Sequence, residues 1–267
     1  MTIRVCLAGA TGWAGSTLSR AIAQSADIEL VAAVSRTHAQ QILGDVLAEP
    51  RLTCPIYATA EAALAHACDV FFEYTKPEVA QANSLAALQH GAHVVIGTSG
   101  LSDAEYAEIA RVAEHQQRGV LAVGNFALTV VLLQKFAEMA AKLIPQWEII
   151  DYASDRKKDA PSGTARELAA RLSSIRPSEL TVPLEATQGV VETRGARING
   201  SQVHSLRLPG YTISAEIIFG LPDQTLTIRH DSGNSAQPYV DGALLAIRKV
   251  SSFVGLRRGL DTVLDLG

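Results

Sequence analysis

The chain has 267 residues, 48% of them hydrophobic, and its 23 Lys and Arg against 27 Asp and Glu give a formal net charge of −4. That length exceeds the usual single core of roughly 100 to 200 residues and predicts two domains. A composition without a clustered basic excess excludes a general nucleic-acid or acidic-membrane surface, so an anionic partner must be met by a local basic site.

The first element is an apolar run, Ile3 to Ala8, that ends in glycines and reads as a strand. An amphipathic helix from Ser16 to Gln24 and a strand from Ile28 to Val34 follow. The alternation continues as helix 60–67, strand 70–74, helix 78–90, strand 94–96, helix 103–116 and strand 120–123. That order implies right-handed crossovers and a parallel sheet covered on both faces, a doubly wound, Rossmann-like α/β domain. After Asn125 the rhythm changes to a helix over 128–143, a strand over 148–152, a polar segment and a helix over 164–172. Strand-like runs over 203–208, 212–219 and 225–230, separated by Gly, Pro and Asp turns, suit a mainly antiparallel sheet in an α+β domain. A last amphipathic helix, 239–250, is expected to pack back on the first domain. The expected division is residues 1–125 and 236–267 for dinucleotide binding, and 126–235 for substrate binding and oligomerisation.

No apolar run approaches the roughly 20 residues that span a bilayer, and no basic-then-apolar leader opens the chain, so a cytoplasmic protein is expected. Cys6, Cys54 and Cys68 lie far apart without zinc-ligand spacing, and of the seven histidines only His90 and His93 are close, flanking a turn at Gly91. Reduced thiols and no metal are expected.

Between the first strand and the first helix lies GATGWAG. Its glycines permit a tight turn and let backbone amides approach a pyrophosphate, whose charge the helix N-terminus favours. Gly9, Thr11, Gly12, Trp13, Ala14 and Gly15 are therefore candidate cofactor residues, with a simple packing turn as the alternative. An NAD-preferring site would place Asp or Glu at the end of the second strand, where this chain has Ser35 and Arg36. Those side chains offer donors and a charge for a 2′-phosphate, so NADPH is the preferred cofactor, with NADH possible; the alternative is that Arg36 is a solvated cation. Thr75, Lys76, Gly97 and Thr98 end later strands on the side where the nicotinamide half should lie, the alternative being that they only make loops.

The densest chemistry is in the segment from Asp155 to Thr164, just before a helix. Pro161 and Ser162 begin or cap that helix and a lysine pair precedes it, giving a site for a carboxylate. Here the chain resembles the dihydrodipicolinate reductase family, whose signature has the form HHxxKxDAPSGTA; residues 153–165 read ASDRKKDAPSGTA. GxxGxxG, VVIGTSG, GNF, VHSLRLPG, IIFG and QTLTIRHDS extend the resemblance over essentially the whole chain. It implies a homotetrameric, two-domain NAD(P)H enzyme with hinges near Phe126 and Ser235, and adds Asn125 and Phe126 to the cofactor set. It further implies that Lys157, the candidate catalytic residue, grips a substrate carboxylate with Ser162, Gly163 and Thr164, and that hydride passes to a C=N or conjugated bond.

Ala153 and Ser154 stand where the family carries paired histidines, the first regarded as the general acid and the second as a substrate contact. A general acid contributes roughly 100- to 10,000-fold, so this departure sets lysine biosynthesis in question. A proton could come instead from Lys157, Tyr152 or solvent, and a preformed iminium would need none before hydride arrives. His204 and His230 read as hydrogen-bonded strand residues; Arg194, Gly195 and Arg207 line the substrate domain or lie on the surface. Trp13, where the family often has Arg, stacks on cofactor or covers a helix. Two functions follow: a reductase of small anionic substrates, or a catalytically silent NADP(H)-sensing binding protein.

Overall fold

The structure, a computed structural model, describes residues 2–265; Met1, Leu266 and Gly267, at the outer ends of the range expected for the first domain, lie outside the described residues. The chain divides into two compact units, residues 2–128 with 236–265, and Thr129–Ser235.

In unit 1, apolar runs form β1 (Ile3–Ala8), β2 (Ile28–Val34), β4 (Val70–Glu73), β5 (His93–Ile96) and β6 (Gly119–Ala122). Two short strands, β3 (Ile56–Tyr57) and β12 (Gly255–Arg258), complete a seven-stranded sheet of order β12-β6-β5-β4-β1-β2-β3. Every pairing is parallel. Buried on both faces, the strands supply much of a core that includes Val5, Leu7, Phe71, Phe72, Val94 and Leu121. The crossover helices are α1 (Trp13–Ile22), α2 (Leu43–Leu47), α3 (Ala60–Leu64), α4 (Pro77–Gln89) and α5 (Asp103–His115); α8 (Val240–Lys249) precedes β12. Local chemistry sets the helix starts: Pro77 opens α4, Thr59 caps α3, and Ser102 and Glu105 form a reciprocal capping box on α5. Helix α1 begins at Trp13 rather than Ser16, because Gly12 takes the extended cap position inside the glycine motif. Arg248 on α8 donates to Asp27 at 2.7 Å, tying the C-terminal segment to the β1–β2 connection.

Unit 2 has a five-stranded sheet of order β11-β10-β7-β9-β8, comprising β7 (Gln146–Ala153), β8 (Ala196–Ile198), β9 (Ser201–Arg207), β10 (Ile213–Leu221) and β11 (Gln224–Ser232). It is mixed: β7 and β9 run parallel, while the other pairings are antiparallel. The parallel pair follows from the long connection through α7 (Gly163–Ser173), since parallel neighbours need a crossover. Strands β8 and β9 are joined at Asn199 and Gly200, both with positive φ as a two-residue hairpin requires. One sheet face packs Trp147, Ile149, Ile217 and Phe219 against α7 and α6 (Leu128–Ala141). The other carries Glu148, Ile150, Tyr152, Glu216 and Ile218 by strand alternation.

Candidate functional site

In unit 1 the strand order reverses direction at β1 and β4, and doubly wound folds bind ligands beyond the C-terminal ends of such strands. The backbone is closely packed there. Gly9 has φ +82°, and a Cβ on it would lie 2.3 Å from the Tyr74 carbonyl oxygen; a Cβ on Gly15 would lie 2.1 Å from the Gly9 oxygen. Gly12 N–H donates to the Gly9 carbonyl at 2.9 Å and caps α1 without a side chain, leaving the first-turn amides of Trp13, Ala14 and Gly15 without a side-chain acceptor. No acidic residue occupies that turn. The loop is thus a close-approach cradle with a positive helix end, which fits a dinucleotide pyrophosphate.

Thr11 and Ser35 share a hydroxyl–hydroxyl hydrogen bond of 2.8 Å, bringing the loop to the end of β2. Arg36 beside it is exposed and has no hydrogen-bond or ion-pair partner among the described residues. Trp13 is 62% exposed and meets the Tyr239 ring edge-on, with centroids 5.8 Å apart. Asn125 Oδ1 accepts from Ala127 N–H, fixing its own turn. The Phe126 ring is buried against Phe72 and Tyr74, and a Cβ on Gly97 would strike the Tyr74 ring, so packing alone explains that glycine.

Thr75 and Thr98 converge on Glu73, a fully buried carboxylate that the sequence pattern hides as one more residue of a core strand. Glu73 accepts from the Thr75 amide at 2.7 Å, the Thr75 hydroxyl, Asn83 Nδ2 at 2.8 Å and the Thr98 hydroxyl. Burial pushes its carboxyl up, and these donors, Thr75 foremost, pull it back. The ends of β4 and β5 are therefore held by one side chain.

In unit 2, Ser162 is the N-cap of α7, its hydroxyl accepting from Ala165 N–H at 3.3 Å. That leaves the amides of Gly163 and Thr164 free of the cap, and a Cβ on Gly163 would meet nothing within 4 Å. Lys157, in the loop leading to the helix, pairs with Asp159 at 2.8 Å and holds that carboxyl below the usual range. Beneath the loop lies Asp151, fully buried, accepting from Ser162 N–H at 2.8 Å, the Ser205 hydroxyl at 3.2 Å and Arg207 at 2.7 Å. Asp151, like Glu73, is invisible as a site residue in the sequence because its partners lie 11 to 56 positions away.

The side chains weighed as replacement acids fall elsewhere. Tyr152 points to the opposite sheet face from Asp151, where it donates to Glu216 under the Arg229 guanidinium; burial and Glu216 raise its phenol further. His204 pairs with Glu148, as does Arg194, and His230 bonds Thr129. Ser154 is spent locally, donating to Asp155 and accepting from Arg156 N–H.

Two family models together cover nearly the whole chain. A family model described as "Dihydrodipicolinate reductase, N-terminus" matches residues 3–126, and one described as "Dihydrodipicolinate reductase, C-terminus" matches residues 129–264. The chain is 37% identical over 265 residues to the 4-hydroxy-tetrahydrodipicolinate reductase of Bacillus pumilus, covering 99% of this chain and 98% of that protein. It is likewise 37% identical over 264 residues to that of Lactococcus lactis subsp. cremoris, with the same coverages. A dipicolinate-bound dihydrodipicolinate reductase from Paenisporosarcina sp. superposes with a TM-score of 0.88 at 32% identity, covering 99% of this chain and 100% of that one. An amine dehydrogenase from Mycobacterium smegmatis, 14% identical with a TM-score of 0.69 and covering 100% and 97% of the two chains, shares the fold. The chain therefore belongs to the dihydrodipicolinate reductase family and is an NAD(P)H-dependent oxidoreductase.

Proposed function

We propose that this reductase acts on a small cyclic carboxylate of the dipicolinate type, reducing its C=N or conjugated bond, and that it prefers NADPH to NADH. The observation that carries the substrate class is the start of α7, where the Ser162 cap leaves the Gly163 and Thr164 amides available, with Lys157, paired to Asp159, in the loop before it. Helix N-termini favour negative groups, and a lysine adds a point charge without fixing geometry. The preference for NADPH rests on Arg36, a cation free of partners among the described residues, beside the hydroxyls of Thr11 and Ser35.

When bound, the reduced nicotinamide cofactor supplies hydride. Gly9, Gly12 and Gly15 admit the pyrophosphate, the α1 amides favour its charge, and Glu73 holds the Thr75 and Thr98 loops on the nicotinamide side. Lys157 orients the substrate carboxylate. Ala153 and Ser154 offer no group that titrates near neutrality, so the product's proton comes from the Lys157 ammonium or from solvent. Free cysteines support a cytoplasmic location, and Ile150 and Ile218 on the open sheet face of unit 2 support a homotetramer.

The test is NADPH oxidation with freshly generated 4-hydroxy-tetrahydrodipicolinate, beside simple cyclic imines and an enzyme-free control. Turnover of the dicarboxylate is expected; turnover of uncharged imines alone would remove the carboxylate reading. Tight NADPH binding without any turnover would instead establish the sensor, and gain of activity on Ala153→His with Ser154→His would show that only the acid was missing.

A further inference from the structure

The loop entering α7 is held at both ends by one buried ion pair. Asp151 Oδ2 takes the Ser162 amide at one end, while Arg207 Nη2 donates to the Asp159 carbonyl at 2.7 Å at the other and to Asp151 Oδ2 at 2.7 Å between them. Asp151 belongs to β7 and Arg207 to β9, the one parallel pair of the sheet, so the clamp is anchored in two adjacent strands. Asp151 is fully buried and the Arg207 side chain is 17% exposed.

We propose that Asp151 and Arg207 are positioning residues for carboxylate recognition: together they set the span from Asp159 to Ser162, and so aim the Gly163 and Thr164 amides and place the Lys157–Asp159 pair. The inference rests on reading the start of α7 as the carboxylate site. An ion pair kept only for stability would be completed by hydrogen bonds, because a buried pair gains little unless its remaining atoms are satisfied. Here Asp151 Oδ1 and Arg207 Nε are both buried without a partner among the described residues. The guanidinium is turned instead toward main-chain carbonyls, those of Asp159, Leu206 and Asp151. Drawing Ser162 N–H inward to Asp151 has a definite effect: the N-cap amide is consumed by Asp151, its hydroxyl is consumed by Ala165, and the two amides between them are left without a side-chain acceptor among the described residues.

The experiment measures dipicolinate binding to the NADPH-loaded full-length protein by calorimetry, together with steady-state kinetics. Native protein is expected to bind dipicolinate. Arg207→Met is expected to weaken that binding at least tenfold and raise substrate KM in parallel, with kcat at saturation and the NADPH Kd each within twofold of native. If native protein fails to bind dipicolinate, the carboxylate reading falls and this proposal falls with it. If native protein binds and a folded Arg207→Met binds as well, the clamp is merely structural and only this proposal is overturned. Arg207→Lys guards against a variant that does not fold: it keeps the charge but not the planar fork, and an intermediate, roughly fivefold loss of affinity with native melting is expected. Native affinity in Arg207→Lys, where Arg207→Met does not fold, also overturns the proposal.

Discussion

Gly15 and Gly163 both stand in the first turn of a helix at a proposed anion site, yet they answer to different physics. A Cβ on Gly15 would sit 2.1 Å from a backbone oxygen, so Gly15→Ala must shift the loop; a marked drop in melting temperature and loss of NADPH binding are expected together. A Cβ on Gly163 meets only open space, and Ala is the better helix former by about 1 kcal/mol. Gly163→Ala should therefore melt at or above the native temperature while raising substrate KM tenfold or more, because the methyl occupies the volume in front of the free amides. Unchanged KM would place the carboxylate elsewhere. Arg36 gives a sharper contrast, since a charge-assisted hydrogen bond is worth roughly 1.5 to 3 kcal/mol. Arg36→Ala is expected to raise KM for NADPH roughly 10- to 100-fold and leave KM for NADH within twofold; equal losses for both would assign Arg36 to the general backbone of the site. At this scale the glycine spacing and the DAPSG turn were legible because the backbone requirement is local. Glu73 and Asp151 were not, because a carboxylate on a strand announces its role only through partners that folding brings to it.

Helices and strands were legible in proportion to their length and periodicity. The box formed by Ser102 and Glu105 could be read from spacing alone, and Ser102→Ala should cost about 1 kcal/mol in denaturant unfolding without touching kinetics. Strand β3 has two residues and no period to read, while the arginines of β12 look like surface chain; in the fold Arg257 lies over Phe253 and Arg258 over Tyr106, charged side chains suited to an edge strand. Strand β8 precedes a hairpin signal at Asn199–Gly200, but its three residues are too few to show a strand period. His93 shows an element depending on a proton. Its Nδ1 accepts the Gly119 amide at 2.9 Å, joining the starts of β5 and β6, and burial, then Arg118, lowers its pKa from the ordinary 6.5. The unfolded chain therefore takes up the proton more readily, so this contribution is complete above pH 6.5 and is lost as pH falls below it. His230, lowered by burial, acts in the same sense. His93→Gln, which can still accept the amide, should flatten part of the decline in melting temperature just below pH 6.5; an unaltered slope would exclude His93 as a contributor.

For the molecule as a whole, the alternation of strands and helices was enough to announce a doubly wound half followed by a different half, because crossover rules leave few topologies for such an order. The single parallel pair in the second sheet was not legible, since β7 and β9 are separated by α7 and a long polar stretch whose one strand, β8, has only three residues. The proposed homotetramer would use that same sheet. Its inner face is sealed by α6 and α7, while its outer face, on the two central strands β7 and β10, presents Ile150 and Ile218, both only half-buried, among Glu148, Glu216 and Tyr152. An antiparallel face turned to water is ordinarily polar, so β-branched apolar residues at its centre argue for contact with further copies of the chain. The native protein should sediment as a tetramer at micromolar concentration. Ile150→Lys with Ile218→Lys should yield smaller species that still bind NADPH with native Kd, since neither position belongs to the unit that carries the glycine loop. A native protein that sediments as a monomer would leave those two isoleucines exposed and remove the argument for assembly through this face.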